Sequence, residues 1–167
     1  MNFLVKPPES LGYGHPAVVL ATWFYSGLLR PASGTWGTLA ALPFAWVILS
    51  VGGAIGGKVV LAIATGLVFY FGVRAADLFE AASPAKDPGS VVVDEVAGMW
   101  LTLLFVPNSS LGFLVAFLAF RFFDILKIWP VSYADKQLKG GIGIMADDIF
   151  AGLYAGVSAM IILMLIG

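Results

Sequence analysis

Four groups of residues in this chain are typed and spaced so that they could do chemistry. Asp147 and Asp148 are adjacent, follow the glycine-rich turn Gly140-Gly141-Ile142-Gly143, and precede Ile149 to Ile166, a run without a single charge. Asp94 and Glu95 form a second adjacent acidic pair. Arg121, Asp124 and Lys127 recur every three residues, which sets them along one side of a helix. Gly34-Thr35-Trp36-Gly37-Thr38 opens a further apolar segment.

Each group has an ordinary explanation and a chemical one. An acidic first turn complements the helix dipole, a stabilisation of about 0.3–1 kcal/mol. Two acidic pairs on helices of one bundle point further, to oxygen ligation of a hard divalent cation by Asp94, Glu95, Asp147 and Asp148. Magnesium suits oxygen-only ligation and phosphate partners. Arg121 and Lys127 are either snorkelling anchors at a helix end or a clamp for phosphoryl oxygens, by planar fork and point charge. Asp124 either orients Arg121 or joins the metal shell. Free backbone N–H groups in the first turn after Gly34 favour an anion near Thr35 and Thr38, although a plain turn with Trp36 at the interface explains the same residues. His15, Asp77 and Glu80 read as structural or solvated.

Composition narrows the chemistry. The chain has 167 residues, 60% hydrophobic and 11% charged, against about 25% charged in soluble domains. An integral membrane protein of one domain, residues 1–167, is expected. There is no cysteine and only one histidine, His15, which excludes thiolate nucleophiles and His-rich metal sites. A net charge of −1 with no basic run excludes nucleic acid as a partner.

The elements that must position these groups are helices. Pro16 to Leu29 is short for a span and is expected to be interfacial or re-entrant. Thr38 to Gly57 is uncharged over about twenty residues, enough to cross a bilayer. Val59 to Val73 returns and continues through Arg74, Asp77 and Glu80. Ser90 is expected to cap a helix from Val91 that carries Asp94 and Glu95 in its first turn and ends before Pro107. Leu111 to Phe120 climbs back to Arg121, Asp124 and Lys127, stopped by Trp129-Pro130. A polar connection with Asp135, Lys136 and Lys139 leads to the last helix. The expectation is an all-α, polytopic bundle of about five apolar spans plus the N-terminal helix. Of nine Lys and Arg, Lys58 alone falls on the far side, so the side with the acidic groups is cytoplasmic by the positive-inside rule. Charge inside membrane helices is costly, about 2.5–3.5 kcal/mol at the centre on insertion scales, and three helices accept it at the same end.

Four blocks in order, Ser33-Gly34-Thr35-Trp36-Gly37-Thr38-Leu39-Ala40-Ala41-Leu42-Pro43, Val93-Asp94-Glu95-Val96-Ala97-Gly98-Met99-Trp100, Phe120-Arg121-Phe122-Phe123-Asp124-Ile125-Leu126-Lys127-Ile128-Trp129-Pro130 and Gly140 to Gly152, resemble the phosphatidylglycerophosphatase A family. The resemblance runs from about His15 to Gly156. It departs at Ser33 and Ile128, where the family commonly has proline, and before Gly89, which leaves Asp87 open as a ligand. The resemblance implies a magnesium-dependent lipid phosphatase of the bacterial inner membrane, acting on phosphatidylglycerophosphate. It carries over Asp94, Glu95, Arg121, Asp124, Lys127, Asp147 and Asp148 as site residues. The competing readings are a small transporter or channel, which needs polar groups at mid-membrane and on both faces, a structural membrane subunit, and another metal-dependent phospholipid-processing enzyme. Among the last, a CDP-alcohol phosphotransferase would need an Asp-Gly-x₂-Ala-Arg pattern that is absent.

Overall fold

A computed structural model describes residues 3–84, 88–129, 131–132 and 138–166. Lys86, Asp87, Asp135 and Lys136 lie outside the described residues, as does the stop at Pro130. Within them the regular structure is helical, apart from a single antiparallel bridge between Leu4 and Leu29. The helices are α1 (Pro16–Ala21), α2 (Ser33–Gly52), α3 (Gly56–Ala82), α4 (Val93–Leu103), α5 (Ser110–Leu126) and α6 (Gly140–Ile166), with a 3₁₀ turn at Ser26–Leu28.

Three of these, α2, α3 and α6, are long and apolar enough to cross a membrane on length and composition. At 1.5 Å per residue α5 reaches about 25 Å and α4 about 16 Å, so among the described residues three of the five expected spans have the length to cross by themselves. The N-terminal segment is six helical residues and a 3₁₀ turn, with Val18 and Ala21 wholly buried. They share a cluster with Ala75, Ala76 and Phe79 of α3, so α1 plugs the end of the bundle where α3 finishes. His15 caps it, its Nδ1 accepting from the Ala17 N–H at 3.2 Å, a structural role.

α6 is the hub, packing on α4 and α5 most extensively and on α3. Small residues let it do so. A methyl on Gly98 would come 2.5 Å from the Asp148 carbonyl oxygen, and one on Gly152 2.5 Å from the Gly98 carbonyl oxygen. The Thr102 hydroxyl sits within hydrogen-bond reach of both the Gly98 and Gly152 carbonyls, at 2.9 and 3.1 Å. The α4 and α6 backbones therefore touch, one turn from the acidic residues of each.

Three boundaries differ from expectation. The Gly34 turn is already helical, so α2 starts at Ser33 rather than Thr38 and Pro43 lies well inside it. Proline withdraws a backbone donor from the helix, and indole N–H groups of Trp23 and Trp100 reach carbonyls just before it, on Ala40 and Ala41 at 3.3 and 2.9 Å. α4 starts at Val93 without a side-chain cap, because the Ser90 hydroxyl accepts from Arg30 at 3.3 Å instead. α6 begins at Gly140, where a turn was expected. Asp77 of α3 stabilises that start, its Oδ1 accepting from the Gly141 N–H at 2.6 Å. Asp147 and Asp148 thus lie two turns inside α6.

Candidate active site

The N-terminal ends of α2 and α4 and the C-terminal end of α5 finish at one level, while α3 and α6 continue past it. Together they bound a cleft of about 850 Å³. Asp94, Glu95, Asp124, Asp147 and Asp148 all line it, with Lys127 and Lys139. Ser33 and Gly89 form one edge, Asp77, Glu80 and Ser83 the α3 wall.

Three carboxylates converge. Asp94, Glu95 and Asp148 each offer an oxygen, and these oxygens lie within 4.8 Å of one another. Asp94 and Glu95 stand in the first turn of α4, where their side chains meet Asp148 of α6. Asp94 Oδ1 and Glu95 Oε2 are buried and have no hydrogen-bond partner among the described residues. Buried carboxylate oxygens left unpaired carry a large desolvation cost, and neighbouring like charges repel. Both costs vanish when a cation sits between them, so the donor set fits a hard oxygen-seeking ion.

Asp124 lines the same cleft and pairs with Arg121 Nη1 at 2.5 Å. Arg121 is mostly buried behind the carboxylates. Its Nη1 also lies 3.4 Å from the Thr38 hydroxyl, which itself donates to the Gly34 carbonyl at 2.7 Å. Gly34 is the seat for this arrangement: a methyl there would overlap Glu95 Oε1 and stand 3.2 Å from Arg121 Nη1.

The two aspartates of α6 part company. Asp148 joins Asp94 and Glu95, whereas Asp147 accepts from Lys127 Nζ at 2.9 Å. Of the residues singled out for phosphate, Lys127 reaches the cleft, Arg121 and Thr38 sit behind its floor, and Thr35 is half-buried in the first turn of α2. Two contributors escaped the sequence reading. Arg30 donates to the Ser33 hydroxyl at 2.7 Å and the Gly89 carbonyl at 3.0 Å, tying the start of α2 to the approach to α4. Its proximity to Ser33 was the one available signal. Lys139 was read as loop and lines the cleft.

Comparison with known proteins finds relatives over most of the chain. A family model described as Phosphatidylglycerophosphatase A matches residues 19–163. A Haemophilus influenzae phosphatidylglycerophosphatase A is 40% identical over 151 residues, 90% of each chain. An Escherichia coli K12 phosphatidylglycerophosphatase A is 38% identical over 145 residues, 86% of this chain and 81% of the relative. A Bacteroides thetaiotaomicron protein, provisionally named a phosphatidylinositol-3-phosphatase, is 37% identical over 142 residues, 83% of this chain and 87% of its own. No solved structure matches the chain.

Proposed function

The chain belongs to the phosphatidylglycerophosphatase A family, and on that premise we propose that it is a magnesium-dependent phosphatase removing the terminal phosphate of phosphatidylglycerophosphate. The products are phosphatidylglycerol and inorganic phosphate, a step of phospholipid biosynthesis. The observation that carries this reading is the convergence of Asp94, Glu95 and Asp148, with Asp94 Oδ1 and Glu95 Oε2 buried and unpaired, at the floor of an open cleft.

Asp94, Glu95 and Asp148 would hold Mg²⁺, which supplies Lewis-acid polarisation of the phosphate oxygens. The chain's own groups do the rest. Lys127 presents a compact positive charge to the phosphate from the cleft wall, and Asp147 holds the ammonium in position. Arg121, fixed by Thr38, keeps Asp124 and Glu95 in place and offsets their charge. The Thr35 hydroxyl, in the first turn of α2, is the remaining phosphate contact proposed. A floor carboxylate takes the proton of the attacking water as the new P–O bond forms and the ester P–O bond breaks. That proton passes to the departing glycerol oxygen to give phosphatidylglycerol, and inorganic phosphate leaves through the open mouth.

The proposed setting is the cytoplasmic face of the bacterial inner membrane. Lys58 opens α3 at the end away from the cleft, whereas Lys6, Arg30, Arg121, Lys127 and Lys139 lie towards it, which supports that orientation. In this reading α4 and α5, with the turn between them, complete five crossings of one membrane-embedded domain, and α1 lies at the interface.

The test is phosphate release by the purified protein from phosphatidylglycerophosphate in detergent micelles. Release is expected with Mg²⁺ and is expected to stop after chelation and return on re-addition of the ion. Activity that persists after the metal is removed overturns the proposed metal site. The Bacteroides relative favours a second reading, a different phosphorylated lipid as substrate, and phosphatidylinositol 3-phosphate in the same assay decides between them.

A further inference from the structure

The end of α5 is divided residue by residue. Lys127 adopts a left-handed conformation, φ 45° and ψ 51°, and reverses the chain at the rim of the cleft. Its own side chain turns inward to Asp147. Its neighbours turn outward: Ile125 is 68% exposed, Leu126 54%, Ile128 45% and Trp129 71%, with Phe122 one turn earlier at 55%. The reversed segment is fastened to α6, where the Tyr154 hydroxyl donates to the Trp129 carbonyl at 3.3 Å and the Tyr154 ring stacks on Phe123. Tyr154 is six residues past Asp148, about 9 Å further along the helix axis, on the apolar side of the floor. Trp129 is thereby held beside the apolar part of α6, at the edge of the cleft, where an indole suits the membrane–water interface.

We infer that this hook is the docking edge for the acyl end of the phospholipid substrate. The inference rests on the lipid-phosphatase reading and deepens it. A phosphorylated phospholipid presents chains, then glycerol, then phosphates. This edge presents the same order in complement: apolar side chains from Phe122 to Trp129, then the Lys127 ammonium, then the carboxylates that would hold the metal. The α3 wall also exposes Phe71 and Leu78, but what it turns to the cleft is Asp77, Glu80 and Ser83, with two carboxylates that repel a phosphate where the α5 edge offers an ammonium. The headgroup crosses Lys127 into the cleft while the chains stay in the leaflet against α5.

The experiment compares two substrates, dioleoyl phosphatidylglycerophosphate in vesicles and its deacylated, water-soluble headgroup, for the wild type and the double variant Ile125→Gln/Trp129→Gln. The ratio of kcat/KM for the long-chain over the deacylated substrate is expected to fall about tenfold, the scale of losing a buried large apolar contact. An unchanged ratio, whether both activities fall together or neither does, overturns the docking edge. A wild type that releases phosphate from neither substrate overturns the lipid-phosphatase reading itself. A diazirine placed on the acyl chain is expected to label residues 122–129. Cross-links joining that segment in two copies of the chain instead would assign the edge to self-association and overturn the inference.

Discussion

Asp147 and Asp148 point about 100° apart around α6, and that angle divides their duties. Asp148 completes the trio with Asp94 and Glu95, and Asp147 holds Lys127. Asp148→Asn is expected to lower phosphate release by about a hundredfold or more, as loss of a charge-stabilising group at the reacting centre does. Asp147→Asn keeps the trio and loosens only the lysine, a loss of about tenfold. A Mg²⁺ titration of activity separates them, because the metal requirement rises in the Asp148 variant and stays in place for Asp147. That both aspartates were chemically distinctive was legible from their adjacency beside an uncharged run. Which one faces Asp94 was not, because the rotation of a residue about a helix is fixed only when the packing partners of that helix are known. Arg121 shows the same gap. Its spacing with Asp124 and Lys127 was readable, but its withdrawal behind the carboxylates depends on Gly34 and Thr38, some 85 positions earlier in the chain.

Between elements, the decisive contact is the crossing of α4 and α6 at Gly98 and Gly152. Either glycine changed to alanine drives a methyl against a backbone carbonyl, since each Cβ would stand 2.5 Å from one, and backbone cannot rotate aside as a side chain can. Gly152→Ala is expected to destabilise the fold by about 1–3 kcal/mol, the usual cost of overpacking, measured as a lowered unfolding midpoint in detergent. Ala155, one turn on and already carrying a methyl, is fully buried and marks how tightly the face is packed. The helices themselves were legible from apolar runs and from glycine and proline. Their starts were less so. Ser90 has the chemistry of a cap, yet Arg30 claims its hydroxyl; Gly140 and Gly141 look like a turn, yet Asp77 reaches across from α3 to begin a helix there. Both outcomes depend on a partner far away in the chain, which local patterns do not encode.

For the molecule as a whole, the proposed orientation follows from where the charges fall along the chain, with Lys58 the one basic residue placed on the far side. The absence of cysteine makes it directly testable with single cysteines at Lys58→Cys and Lys139→Cys. An impermeant maleimide added to intact cells is expected to label the first and to reach the second only after the membrane is opened. Labelling of both without opening contradicts the proposed orientation. The crossing number was harder to read, because α4 and α5 are apolar but short, and apolarity without length is shared by buried helices and membrane spans. Length has a further consequence. α3 and α6 each hold 27 residues, about 40 Å, while α2 holds 20, about 30 Å. The carboxylate floor lies at the end of the shorter helix, so hydrophobic mismatch acts on it directly. In the proposed membrane setting, a bilayer that does not match this span would tilt the helices or deform around the acids, so phosphate release is expected to change with the acyl-chain length of the host vesicle.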